Sequence, residues 1–151
     1  MKEAMDPACA LQFTRHFEAS PERVFDAWLG TEWGDWLPPG GAHCSVTASE
    51  PKVGGKYRVV MTMSDGRSVE VTGVYRELVR PETLVFTWRV DYIGYETVIT
   101  VQFRQDATGT LMTFRQDGIL SVEDRGRYHS GWTGTNGSFA KLEAHLARAK
   151  A

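Results

Sequence analysis

Two arginines carry the first chemical signal in the chain, because each shares strand parity with apolar or β-branched neighbours. Arg15 goes with Leu11, Phe13 and Phe17, and Arg115 with Leu111 and Thr113. A guanidinium carried into an interior has to be paired. Each would therefore bind an acidic ligand or meet an internal carboxylate such as Glu70 or Glu96, unless it snorkels to the sheet edge. The histidines offer less. His16 falls on the polar side of its strand, His145 flanks an apolar helical stripe, and His129 lies about 60° outside Trp132 on the same helix, placements that fit many non-catalytic roles. His43 and Cys44 are adjacent, so on a strand they point to opposite faces and cannot jointly hold a metal. Glu123 and Arg127, spaced i and i+4, read as an exposed helix pair worth roughly a few tenths of a kcal/mol. No nucleophile, base and orienting group assemble into a catalytic signature, and no zinc or redox motif is present. Neither a metal nor a cofactor is expected.

The other chemistry on offer is recognition. Trp36, Tyr57, Met61, Phe86, Trp88, Tyr95, Trp132, Thr135 and Phe139 combine large aromatics, an adaptable methionine and a few polar groups, the composition of a small-molecule pocket, with Arg115 as its charged member. The same residues equally describe a filled core. Gly131 tilts the choice toward a cavity, because it borders the apolar stripe and removes side-chain volume where helix faces sheet, whereas Gly134 and Gly137 rotate away and mark a kink or close backbone packing.

These residues need a sheet and a helix to bring them together. At ~100° per residue, Tyr128, Trp132, Thr135, Phe139, Leu142 and Leu146 fall on one stripe, so Ser121 to Lys150 reads as a single long amphipathic helix. Ser121 followed by Asp124 supplies its N-cap signal. Its glycine-rich middle, Gly131 to Gly137, is a poor helix former, each interior glycine losing up to about 1 kcal/mol against alanine. The surrounding sheet has to supply the stability.

Ala10 to Ala19 alternates as a half-buried strand. Ser20 and Pro21 then open a short helix to about Leu29, and Thr31 to Leu37 forms a second, stopped by Pro38, Pro39, Gly40 and Gly41. Beyond them the period changes. His43 to Glu50, Lys56 to Met63, Ser68 to Val79, Thr83 to Asp91, Tyr95 to Gln105 and Thr110 to Asp117 are rich in β-branched and aromatic residues. Their connections are short, so the strands pair as an antiparallel meander. One face carries Tyr57, Val59, Met61 and Met63, then Leu84, Phe86, Trp88 and Val90, then Tyr95, Thr97, Ile99, Val101 and Phe103. That face needs an amphipathic partner, and the C-terminal helix is the long one available.

The totals agree with one α+β domain over residues 10–151, preceded by a tail over residues 1–9. A net charge of −2 and the absence of a Lys/Arg cluster argue against nucleic acid or a membrane surface as partners. Residues 1–10 carry Glu3 and Asp6 and no long apolar core, so a cytoplasmic location is the default. Cys9 and Cys44 are expected as free thiols.

Several stretches carry a family resemblance. Gly54–Gly55–Lys56–Tyr57–Arg58, Val71 to Leu78 (VTGVYREL) and Pro81 to Trp88 (PETLVFTW) resemble the central block of bacterial homologues of the activator of the heat-shock-protein-90 ATPase, members of the START-like or SRPBCC superfamily. Phe13 to Trp28 resembles the family's opening strand and helix, and Gly131, Trp132, Phe139, Leu142 and Leu146 its closing helix. The resemblance implies a helix-grip fold: a seven-stranded curved antiparallel sheet around a long C-terminal helix, with two short helices after the first strand and often an apolar cavity between sheet and helix. It also implies that the Trp33, Trp36 and Pro/Gly segment sits near an end of that cavity, as lid or as plug.

The expected function is non-catalytic binding of an apolar or amphipathic small molecule in that cavity. A chaperone-linked interaction module is the alternative. A cyclase- or hydrolase-like enzyme using Arg115, Glu96 or His129 is the second alternative. The sheet edges leave homodimerisation open.

Overall fold

Among the described residues, side-chain alternation resolves into seven strands of one antiparallel sheet: β1 (Ala10–Phe17), β2 (His43–Ser49), β3 (Lys56–Thr62), β4 (Ser68–Val79), β5 (Thr83–Val90), β6 (Glu96–Asp106) and β7 (Gly109–Asp117). The computed structural model describes residues 10–29, 32–38, 43–134 and 137–150. The spatial order β1-β7-β6-β5-β4-β3-β2 is a meander from β2 to β7, with β1 returning to pair along β7. The hairpin turns are locally encoded. Between β3 and β4 the Asp65 side chain accepts the Arg67 N–H at 2.9 Å, and Gly66 takes the positive φ of 89° that the turn demands.

One close approach fixes where an aromatic ring can lie. Tyr57 on β3 stands opposite Gly73 on β4, and its hydroxyl crosses that glycine to donate to the Thr87 carbonyl on β5. A Cβ at Gly73 would sit 2.0 Å from Thr87 O and 2.5 Å from the Tyr57 hydroxyl, so only glycine fits. With its carbonyl engaged by Tyr57, Thr87 uses its side-chain oxygen to accept the Val74 N–H at 2.8 Å.

The helices lie on the inner face. Ser20 caps α1 (Pro21–Ala27) by accepting the Arg23 N–H at 3.2 Å, with Pro21 in the first turn. α2 (Trp33–Trp36) follows, and Ser121 caps α3 (Val122–Thr133) by accepting the Asp124 N–H at 3.0 Å. α4 (Ser138–Lys150) ends the fold. The C-terminal helical segment is thus present but divided: Gly134 leaves the helix at φ −62° and ψ 172°, in an extended conformation, and its N–H still closes onto Ser130 O at 2.9 Å. The glycines that make the expected single helix weak are where it breaks. A Cβ at Gly134 would stand 2.6 Å from Ser130 O, and one at Gly137 2.8 Å from Gly134 N, which is the close backbone packing these positions require.

The core is aromatic. Trp28, Trp33, Trp36, Phe86 and Phe114 are fully buried, and Trp36 Nε1 donates to the Ala27 carbonyl at 3.0 Å, tying α2 to α1. Trp28 meets Trp36 at 4.9 Å, and Trp33 meets Tyr57 at 4.9 Å, both edge-to-face. Most of the inner faces read from the sequence are buried, namely Tyr57, Val59 and Met61 on β3, Leu84, Phe86, Trp88 and Val90 on β5, and Thr97, Ile99, Val101 and Phe103 on β6, whereas Met63 and Tyr95, read onto the same faces, are only half-buried. No described helix is long and apolar enough to cross a membrane.

Candidate functional site

On α3, Tyr128, Gly131 and Trp132 recur at i, i+3 and i+4 and so share one face. Across from it, the inner-face positions Met61 of β3, Val69 and Val71 of β4, and Trp88 and Val90 of β5 stand side by side through the sheet register. Because Gly131 contributes no side chain, these two surfaces do not close on each other. They leave an apolar pocket of about 160 Å³, completed by Met63, Ile93 and the α2–α4 junction at Leu37 and Ser138. A Cβ built at Gly131 meets nothing within 4 Å. Ser138 donates its hydroxyl to the Leu37 carbonyl, which pins the start of α4 to the end of α2 at the pocket wall. Tyr92, 55% exposed, and Arg127 mark its mouth.

A buried polar chain sets the rings that face this space. Gln116 of β7 is fully buried; its Oε1 accepts from Trp132 Nε1 at 3.1 Å and its Nε2 donates to Thr97 Oγ1 at 2.9 Å. Thr97 in turn donates to the Trp88 carbonyl at 3.0 Å. A satisfied buried network of this kind fixes orientation. Trp88 Nε1, by contrast, is buried with no hydrogen-bond partner among the described residues. Burial raises the Tyr128 hydroxyl above its ordinary pKa, and the nearby tyrosines and Asp124 push the same way, so it stays protonated. The one group that lowers it is Thr97, whose own proton is already given to Trp88 O. Among the described residues no hydrogen bond reaches that hydroxyl.

Of the residues singled out from the sequence, Met61, Trp88 and Trp132 line the pocket. Trp36, Tyr57, Phe86 and Phe139 do not: they are at most 2% exposed and packed ring against ring, filling the core beside the pocket. Tyr95 is turned to the start of α3, donating to Asp124 Oδ2 at 2.7 Å and accepting the Leu120 N–H at 2.9 Å. Thr135 lies outside the described residues. Arg115 is corrected outright. The inward set on β7 is Thr110, Met112, Phe114 and Gln116, so Arg115 stands on the outer face, bound to Asp117 at 2.9 Å and to Gln12 at 2.9 Å. Leu111 and Thr113, which suggested the opposite parity, are themselves the outward residues.

Arg15 does lie on the inner face, where it snorkels to the edge and pairs with Glu143 of α4 at 2.7 Å, not with Glu70 or Glu96. Glu96 is an outer-face residue 3.6 Å from Arg76, and His129 packs edge-on against Phe13, 5.5 Å between ring centroids. The polar residues proposed for catalysis therefore do not converge. His145 meets Glu32 at 2.6 Å beside Arg23, a cluster joining α1 and α4 that the sequence did not flag. Among the described residues no group of three or more His, Cys, Asp or Glu could hold a metal. The pocket residues missed from the sequence, Val69, Val71, Ile93 and Ser138, carry no signal beyond strand parity and a helix start.

Comparison with known proteins agrees with this architecture. The family model described as Activator of Hsp90 ATPase homolog 1-like protein matches residues 18–147. A crystal structure of a protein from Chromobacterium violaceum is similar at 28% identity and TM-score 0.79, covering 91% of this chain and 96% of that one. One from Rhodobacter sphaeroides is similar at 28% identity and TM-score 0.78, covering 93% and 94%. The AHSA1 protein from Silicibacter pomeroyi shares the fold at 24% identity and TM-score 0.77, covering 93% and 99%. No curated protein matches the chain.

Proposed function

The chain belongs to the Activator of Hsp90 ATPase homolog 1-like family, and on that footing we propose that it is a binding domain for a small apolar or amphipathic molecule, held between the sheet and α3. The observation that carries this reading is the space left opposite Gly131, walled by Met61, Trp88 and Trp132 inside an otherwise filled aromatic core. Native mass spectrometry together with a thermal-shift screen of lipids, aromatics and polyketide-like compounds tests it. Binding predicts a retained mass and a ligand-dependent rise in Tm; a screen without any stabilisation argues against the pocket as a working site.

A second reading, a chaperone-linked interaction module, is favoured by Leu120 and Val122, which are 70% and 72% exposed at the entry to α3. It predicts stimulation of a bacterial heat-shock-protein-90 ATPase that a Leu120→Asp, Val122→Asp double variant loses. No stimulation by the unaltered protein removes it.

A further inference from the structure

Three sulfur-bearing side chains meet on the inner face where β2 pairs with β3. Met61 and Met63 form a Met-x-Met pair, and strand alternation puts positions i and i+2 on one face. Met63 lies one residue past β3, yet its N–H still donates to Arg67 O across the hairpin at 2.8 Å. Both methionines line the pocket, so the face they share is the inner one. Cys44 of β2 stands directly opposite Met61 in the register, and it packs against the same core as Met63. Directly opposite residues hold their Cβ atoms about 4.5–5.5 Å apart, and the diagonal from Cys44 to Met63 spans about 7–8 Å, within reach of a long side chain. A thiol and two thioethers on flexible stems can therefore converge on one point.

The donor set decides what that point takes. No carboxylate and no imidazole lines the pocket among the described residues. His43, the neighbour of Cys44, is exposed and alternates to the other face. Magnesium and calcium require oxygen ligands, and structural zinc requires four thiolate or imidazole ligands. One thiolate with two thioethers suits a soft ion instead. Cys44 and Met63 are only half-buried, which leaves such an ion a way in from solvent. Binding exchanges the thiol proton for the metal. The S–H bond breaks, its electron pair forms the bond from sulfur to metal, and the proton leaves to solvent without any change of oxidation state. A monovalent ion leaves a neutral metal–thiolate unit, so the apolar flank gains no net charge.

We infer that Cys44, Met61 and Met63 form a binding site for a soft monovalent cation, copper(I) or silver(I), beside the pocket. The site is independent of the small-molecule reading. Anaerobic titration of copper(I), buffered by bicinchoninate, into the full-length Cys9→Ser protein tests it, with native mass spectrometry for stoichiometry and the ultraviolet thiolate-to-copper band for the donor. One ion per chain is expected, and Cys44→Ser abolishes the band. Met61→Leu and Met63→Leu conserve volume and should keep the fold, yet each weakens copper(I) on the order of tenfold, because soft thioether donors are lost while the thiol remains. A second measurement needs no methionine variant: on silver(I) addition the methyl NMR signals of Met61 and Met63 shift together, and that of Met112 does not. Unchanged copper(I) affinity in the Met61→Leu, Met63→Leu double variant would reduce the site to a single thiol and overturn the inference. So would silver(I) shifts confined to Met1 and Met5, an ion shared between two chains, or the lack of any bound copper(I).

Discussion

Replacing Gly131 by leucine separates stability from binding in a way that a purely structural glycine would not. Gly131 lies inside α3, where glycine is about 0.8–1 kcal/mol worse than alanine, and a Cβ there meets nothing within 4 Å. Gly131→Ala should therefore stabilise the fold by close to that amount. Leucine gains a similar propensity term. Its remaining carbons enter the pocket against Met61, Trp88 and Val90, where full burial of such a side chain is worth about 1.5–3 kcal/mol. The pocket opens at Tyr92 and Arg127, so part of that is withheld, and a net gain of roughly 1–3 kcal/mol is expected, a Tm rise of about 2–4 °C for each kcal/mol. The same side chain takes the space of a ring, so the ligand-dependent rise in Tm should disappear. Urea unfolding, and thermal shift with and without a compound that raises Tm in the ligand screen, measure both effects. A leucine variant less stable than the unaltered protein would show that the space is not there, and one that is more stable yet still responds to ligand would place binding elsewhere.

Three further outcomes follow from separate contacts. Gly73→Ala forces a Cβ to 2.0 Å from Thr87 O, so the strands must part or Tyr57 must leave its carbonyl; a loss of about 3 kcal/mol or more is expected in urea unfolding, and tolerance would contradict the geometry. Arg115→Ala, on the outer face, should change stability by less than about 1 kcal/mol and leave the thermal-shift response to ligand unaltered, whereas a lost response would restore Arg115 to the site. Burial pushes the Cys44 thiol up to about 11, against the opposing charge of Lys141. Only the thiolate alkylates, so in a Cys9→Ser background iodoacetamide should react on the order of tenfold more slowly at pH 8 than with an exposed cysteine. The rate should climb with pH until about 11, and a plateau near pH 9 would show the thiol unperturbed.

Most of the sheet was legible from alternation and turn chemistry. Strand β4 runs over the predicted Ser68–Val79, and the Asp65–Gly66 turn sits where an Asp-Gly pair places it. The site was less legible, for a physical reason. Whether Phe86 fills a core or lines a pocket depends on which neighbours reach it, and Trp28, Trp33 and Tyr57 reach it from three different elements. Parity alone cannot say which of an inward row is covered. Arg115 misled because Leu111 is apolar yet outward, and a strand beside the edge strand leaves such residues on the outer surface. Gly131 was the informative residue, since missing volume on a buried stripe is a statement about packing that the sequence makes directly.

The pairing of β1 with β7 also sets an order in time. Ala10 finds its partner in Asp117, so during synthesis β1 waits about a hundred residues for the strand that completes its ladder. The hairpins from β2 to β7 close over short loops and can form as they emerge. Phe13, Phe17 and Trp28 are made early, yet Phe114, Trp132 and Phe139, the rings that cover Phe13 and Trp28, are made last. A nascent chain shorter than β7 thus has its N-terminal aromatics uncovered, and release of the C-terminal helices is the event that closes the domain.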